Sequence, residues 1–105
     1  MIDLKKIKED TEVDSIVIAD KEGNVVDALD TEYDTNVALM IETAFSMCND
    51  MSQDLLNGSL DQLMAKSSEG YLIANRINTN SIILVVSKNI SKLGLLLKYM
   101  NSIEK

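Results

Sequence analysis

Thr35-Asn-Val-Ala-Leu-Met-Ile-Glu-Thr-Ala-Phe-Ser-Met-Cys-Asn-Asp-Met-Ser-Gln-Asp-Leu-Leu56 is the longest stretch of the chain with a helical period. Its apolar residues fall at Val37, Ile41, Ala44, Cys48, Met51 and Leu55, in alternating steps of four and three, so all six share one face of a helix. Met40 and Met47 widen this stripe on one side, Phe45 and Leu56 on the other. At about 100° per residue the apolar sector spans roughly half the circumference, wider than the ~100° stripe that a surface helix needs. One surplus edge, Met40, Met47 and Met51, is all methionine. Two readings stand open. Either the whole stripe is core, with Met filling gaps, or the helix touches both its own sheet and a second copy of the chain. The two differ in mass, which light scattering at micromolar concentration measures.

Outward from this helix, turn and cap residues divide the chain. Asn57-Gly58 ends the helix, with Gly58 suited to the left-handed C′ position. The acidic loop Asp30-Thr-Glu-Tyr-Asp34 precedes it; Asp34 or Thr35 is placed to cap it, and the neighbouring acids complement its positive end. Residues 2–10 read as a short helix with a thin apolar edge of Ile2, Ile7 and, weakly, Leu4, which becomes stable only by docking. Residues 13–20 read as a strand whose β-branched run Ile16-Val-Ile18 suggests burial on both faces. Lys21-Glu-Gly-Asn24 is a turn in which Gly23 is free to take positive φ, and residues 25–29 complete a hairpin. Residues 60–67 form a weaker strand whose mixed polarity suits a sheet edge. Ser68-Glu-Gly70 turns into residues 71–77, where Tyr71, Ile73 and Ile77 share a face that Asn75 interrupts. Asn78-Thr-Asn80 turns into residues 81–87, apolar from Ile82 to Val86 and therefore central.

Asn89 or Ser91 caps a closing helix with the dry stripe Leu93, Leu96, Leu97, Met100 and Ile103. Gly94 inside it costs about 1 kcal/mol relative to Ala, which makes sense if the helix backbone approaches the sheet closely. The order is αββαβββα. It predicts an α+β sandwich with helices on both faces of a five-stranded sheet. The sheet is mainly antiparallel, because every strand connection except the helical one is short. No linker or repeat divides residues 1–105, which read as a single domain.

Composition narrows the function. Hydrophobic residues at 46% suffice for a globular core, and aromatics at only 4% make that core aliphatic. A net charge of −7 with a single Arg argues against nucleic acid and against docking to anionic lipid, and favours a partner with a basic patch. One Cys allows no intrachain disulfide. The charged opening Met1-Ile-Asp-Leu-Lys-Lys6 is no signal peptide, and the longest apolar run, residues 82–86, is far too short to span a bilayer. A cytoplasmic protein without membrane insertion is expected.

The absence of His removes Ser-His and Cys-His dyads and imidazole metal ligands, and one Cys builds no thiolate zinc site. The four glycines match neither a P-loop nor a dinucleotide fingerprint. No catalytic, cofactor-binding or metal residue is therefore assigned, and the chain reads as non-enzymatic. Asp27, Asp30, Glu32 and Asp34 lie close together but lack the Ca²⁺-loop spacing, and read as a solvated, helix-capping loop. Cys48 reads as an inert buried thiol. Arg76, in mid-strand, lacks the projecting loop that an arginine finger needs.

Three passages together resemble the Roadblock family, the domain of roadblock-type dynein light chains and of bacterial and archaeal regulators of Ras-like GTPases. Asp14-Ser-Ile-Val-Ile-Ala-Asp-Lys-Glu-Gly-Asn-Val-Val26 is similar to the family's first hairpin, whose turn carries an Asp and a Gly three residues on. Glu69-Gly-Tyr-Leu-Ile-Ala74 is similar to its second hairpin, and Asn89-Ile-Ser-Lys-Leu-Gly-Leu-Leu-Leu97 to the start of its closing helix. The joint arrangement, over nearly all of the chain, carries the likeness rather than any one motif. The short Lys-rich opening helix and the polar Asn75 depart from the pattern.

The resemblance implies a Roadblock/longin/profilin-like fold, although the longin domain normally carries an additional terminal helix. It implies a dimer in which two long helices pack side by side and the third strands pair across a two-fold axis. Carried over by position, the contacts come from Met40, Ala44, Met47 and Met51, with Leu60, Leu63 and Ala65 along the strand edge; a two-fold axis makes these patches self-complementary. The implied activity is binding. Such a homodimer is a platform for a small Ras-like GTPase, and where it speeds GTP hydrolysis it repositions the GTPase's own groups. One alternative is a structural adaptor in a motor or membrane-associated complex without a GTPase. Another is a PAS-like small-ligand sensor, which needs a pocket between sheet and helix; this chain is poor in aromatics and has no His for haem.

Overall fold

The computed structural model describes residues 3–102. Ile2 and Ile103, assigned above to helical stripes, lie outside them. The elements are α1 (Leu4–Thr11), β1 (Ser15–Asp20), β2 (Val25–Leu29), α2 (Asp34–Leu56), β3 (Gln62–Ser67), β4 (Gly70–Asn78), β5 (Ser81–Ser87), a 3₁₀ turn (Ile90–Lys92) and α3 (Leu93–Ser102). The αββαβββα order is as expected, and the sheet is antiparallel throughout, in the spatial order β2-β1-β5-β4-β3. The two strands that are apolar along their length, β1 and β5, lie inside it. The mixed-polarity β3 is an edge.

Strand alternation sorts the core into two layers. On one face Ile16, Ile18, Ile73, Ile83 and Val85 pack under Leu4 and Ile7 of α1 and Leu96 and Met100 of α3. Leu4 is buried rather than a weak contributor. On the other face α2 lays Ala38 against Val17 and Ala19, and Phe45 against Ala74, Ile82 and Leu84. Asn75 sits on the first face, buried but fully bonded. Its side-chain amide donates to the Met100 carbonyl at 3.0 Å, and its Oδ1 accepts from Gln62 Nε2 at 3.0 Å. Gln62 Nε2 also donates to Asn101 Oδ1 at 3.2 Å. A polar residue in a dry strand thus ties β3, β4 and α3 together instead of weakening the layer.

Several ends differ from expectation. Asp3 caps α1, accepting from the backbone N–H groups of Lys5 and Lys6. Neither Asp34 nor Thr35 caps α2: the N-cap is Tyr33, without a side-chain hydrogen bond, and Asp34 already lies in the first turn. At the other end Asn57, at φ 57°, takes the left-handed position assigned to Gly58, and its N–H donates to the Gln53 carbonyl. Asn visits that region by bonding locally, so Gly is not required. Asn89 accepts from the Ser91 N–H, but it opens the 3₁₀ turn rather than α3 itself. Gly94 does not admit a close sheet contact: it is exposed, and a Cβ there would meet nothing within 4 Å. It stands two residues before the buried Leu96, about 200° round the helix, so it faces away from the sheet.

Two other glycines are required. Gly23 turns the β1–β2 hairpin at φ 81°, against Leu39 of α2; a Cβ there would stand 2.7 Å from Leu39 Cδ1. Gly70 begins β4 where a Cβ would run into the Ser87 carbonyl.

Candidate protein-interaction surface

α2 is longer than the sheet is wide. Its 23 residues extend about 34 Å at ~1.5 Å per residue. Five strands at a spacing of ~4.8 Å put the outer strand axes only about 19 Å apart. The first half of α2 lies over β1 and β2 and Phe45 lies over β4 and β5, so the surplus length projects at the C-terminal end. Leu55 and Leu56 there are 78% and 77% exposed. Leu56 has the rotational phase of Phe45, yet no sheet lies beneath it.

The helix is also turned relative to the sequence reading. Its fully buried residues are Ala38 and Phe45, with Val37 and Ile41 packed beside them. Phe45, read as a flank of the stripe, is its centre. Met51 and Leu55, read as part of the dry face, are exposed, and Cys48 is half-buried rather than buried. This rotation leaves Met40, Met47 and Met51 in a line on one flank, each more than half exposed, with Ala44 half-buried among them.

Strand register shows what lies below that flank. Val86 pairs with Ser15, Leu72 with Val86 and Ala65 with Leu72, so these residues form one row across the sheet. Leu72 is two residues from Ala74, which packs against Phe45; the row therefore belongs to the α2 face. The opposite flank of α2, with Leu39, Glu42 and Ser46, stands over the other end of the strands, near Gly23 and Arg76. The methionines consequently form the outer part of the α2 wall on the side of the Val86–Leu72–Ala65 row, about 120–160° round the helix from Phe45. Leu72 is 44% exposed and Ala65 is exposed, so the row is a floor that α2 does not cover. Wall and floor make one apolar corner.

Of the residues carried over from the family pattern, Met40, Met47, Met51 and Ala65 are exposed and Ala44 is half-buried along this corner. Leu60 and Leu63 are instead partly buried against Phe45 of their own chain. The outer side of β3 has no strand partner among the described residues. Sequence reading missed Leu72. Its alternation with Ala74 and Arg76 was visible, but not how much of that face the helix would cover.

Lys66, Glu69 and Lys88 border the floor beside Ala65, Leu72 and Val86. Asp20, at the far end of the sheet, accepts from the N–H groups of Glu22 and Asn24, each at 2.9 Å. The Asn24 backbone bond holds its carboxyl below the usual carboxylate range. Lys8 pairs with Asp30, and Lys92 with Glu12 at 2.6 Å, fastening α1 to its neighbours. No helix among the described residues is long and apolar enough to cross a membrane.

Comparison with known structures agrees with this architecture. MglB from Myxococcus xanthus superposes with a TM-score of 0.77 over 90% of this chain and 82% of that one, at 10% identity. The gliding protein MglB from Thermus thermophilus gives 0.78 over 95% and 81%, at 11% identity. A Roadblock/LC7 domain from Streptomyces avermitilis gives 0.68 over 98% and 96%, at 18% identity. At such identities the likeness is one of fold. No curated protein matches the chain by sequence. The model of the Roadblock/LC7 domain matches residues 2–87, and the chain belongs to that family.

Proposed function

We propose that the chain works as a two-fold homodimer and, in that form, as a non-enzymatic regulator or scaffold that binds a small Ras-like GTPase. The observation that carries the dimer is the apolar corner. Three methionines line a wall, Leu72 and Ala65 a floor, and alongside runs a strand edge without a partner among the described residues. A single protomer leaves this surface in water, whereas a two-fold operation supplies a matching wall and edge. The projecting Leu55 and Leu56 then extend past their own β3 onto the partner's sheet. Among the solved relatives, one MglB is described in a tetrameric arrangement, so self-association occurs within this fold.

Roadblock/LC7 members are typically regulators or adaptors rather than enzymes, which supports the binding role. Against the sensor alternative, Phe45 fills the layer between α2 and the sheet where a PAS-type ligand would sit.

Sedimentation or light scattering over a dilution series tests the dimer, and a monomer at micromolar concentration refutes it. Titration against the cognate Ras-like GTPase, loaded with GDP or with a GTP analogue, tests the role. A nucleotide-dependent affinity supports it. A partner bound equally in both states, or a different partner altogether, favours the adaptor reading, and binding to neither form refutes the GTPase role.

A further inference from the structure

Arg76 is the only arginine of the chain, and neither core nor methionine flank explains it. It lies in β4 beside a bulge, where the register with β5 shifts between Arg76 and Asn78; such bulges re-aim side chains. Its guanidinium carbon stands 5.1 Å from the centroid of the Phe45 ring, which is fully buried. That contact holds the group against a rigid support.

What it lacks is a direct ion pair. Asp20 and Glu42 line the same open cavity of about 300 Å³, but the hydrogen bonds of their carboxylates go to other groups. Asp20 accepts from Glu22 and Asn24, and a Glu42 oxygen accepts from the Ser46 hydroxyl at 2.8 Å. Among the described residues, no carboxylate forms an ion pair with Arg76. A guanidinium presents a planar fork of N–H donors that matches a carboxylate. Asn80 and Ser81 add polar groups to the rim. On the same flank of α2 stands Leu39, 55% exposed and outside the methionine line. A free metabolite is normally held in an enclosed pocket. This corner is open, with a fork beside an apolar side chain, and suits an exposed acidic residue on another protein.

We propose that the Arg76 corner receives an acidic side chain from the protein that docks on the outward surface of α2, with an apolar neighbour of that residue resting on Leu39. This rests on the reading that the chain binds a partner protein, and it adds the face and one contact of that complex. With a single arginine, the ¹⁵N spectrum of this 105-residue chain contains one arginine Nε–Hε resonance, so the site reports on itself. The probes are an acetylated and amidated Leu-Glu-Leu peptide, its Leu-Gln-Leu counterpart, free glutamate and sodium chloride, all at matched ionic strength.

The Glu peptide is expected to shift the resonance saturably, with the Gln peptide at least tenfold weaker. The Arg76→Lys variant, at unchanged mass, is expected to bind the Glu peptide at least tenfold more weakly, followed through backbone amides. An unmoved resonance, or equal shifts with the Gln peptide or chloride, overturns the proposal. Free glutamate binding more tightly than the peptide also overturns it, because the site would then take a metabolite. No GTPase enters the experiment and mass is read on the same samples, so failure here is separable from failure of the dimer or of the GTPase role.

Discussion

Replacing Met47 by lysine tests the apolar corner most directly. Met47 is 64% exposed in the protomer, so the substitution removes little from the monomer, and surface changes of this kind usually stay within about 0.5 kcal/mol. In a two-fold dimer the same side chain is covered twice. Full burial of a Met is worth roughly 1.5–3 kcal/mol. Scaled to the 64% still open, the gain is about 1–2 kcal/mol per protomer and about 2–4 kcal/mol per dimer. At tenfold per 1.4 kcal/mol, the dimer Kd rises roughly 30- to 700-fold, and two like charges near a symmetry axis add to the loss. Sedimentation equilibrium over nanomolar to high micromolar concentrations reads the Kd. Thermal melting over the same range supplies a second readout, because a dimer's Tm rises with concentration and a monomer's does not. Wild type and Met47→Lys are expected to melt together when dilute and to diverge when concentrated. If mass and melting curves of the variant follow wild type at every concentration, the corner is not an interface and the reasoning from exposure fails.

Further outcomes follow from single positions. Gly94→Ala is expected to stabilise the protomer by up to about 1 kcal/mol in urea unfolding, because the added methyl meets nothing and α3 gains helix propensity. Gly70→Ala is expected to destabilise by about 1–3 kcal/mol in the same assay, because its Cβ would collide with the Ser87 carbonyl. The Asp20 carboxyl is held below 3.8 in the folded chain, so its contribution is present above that value and is lost as pH falls through the folded pKa. Asp20→Asn is therefore expected to show a smaller loss of stability than wild type between pH 5 and about pH 2, by urea unfolding. Phe45→Ala is expected to cost about 3–5 kcal/mol and to move the Arg76 Nε–Hε resonance, because it removes the ring that the guanidinium rests on.

Element order was legible because turn signals and periodicity agree along most of the chain. Asp20 and Gly23 mark one hairpin, Gly70 the second, and the β-branched runs of β1 and β5 announce their interior positions. The rotation of α2 was harder to read for a definite reason. When apolar residues cover half a helix, hydrophobicity alone does not locate the centre of the buried arc, and either end can be the surplus. Size carries the missing information. Phe45 is the only phenylalanine and the largest apolar side chain on α2, and placing it at the centre would have turned the methionines outward. The exposed row through Leu72 was not legible at all, since it depends on where a helix of one length crosses a sheet of another width. Caps failed at the level of single residues: Tyr33 and Asn57 occupy positions that propensity gives to other types.

The two flanks of α2 differ in chemistry, and the difference sets what each can bind. The methionine side carries a charge only at Asp54, and the β3 edge beside it has no strand partner among the described residues, so it suits a surface like itself. The other flank carries Glu42 and Asp50, and in the proposed dimer it is the side of α2 left to meet a partner. In the proposed dimer a protomer charge of −7 is doubled, so a partner steered to it would be basic overall. A uniformly basic partner, however, would meet the Arg76 guanidinium as a like charge, held against the Phe45 ring. One acid within a basic docking face resolves the conflict. Steering and fit then separate experimentally. Added salt should slow association of the partner, because long-range attraction is screened beyond about 8 Å near physiological ionic strength. Loss of the Arg76 contact should instead speed dissociation, because a fork pairing with a carboxylate acts only after docking.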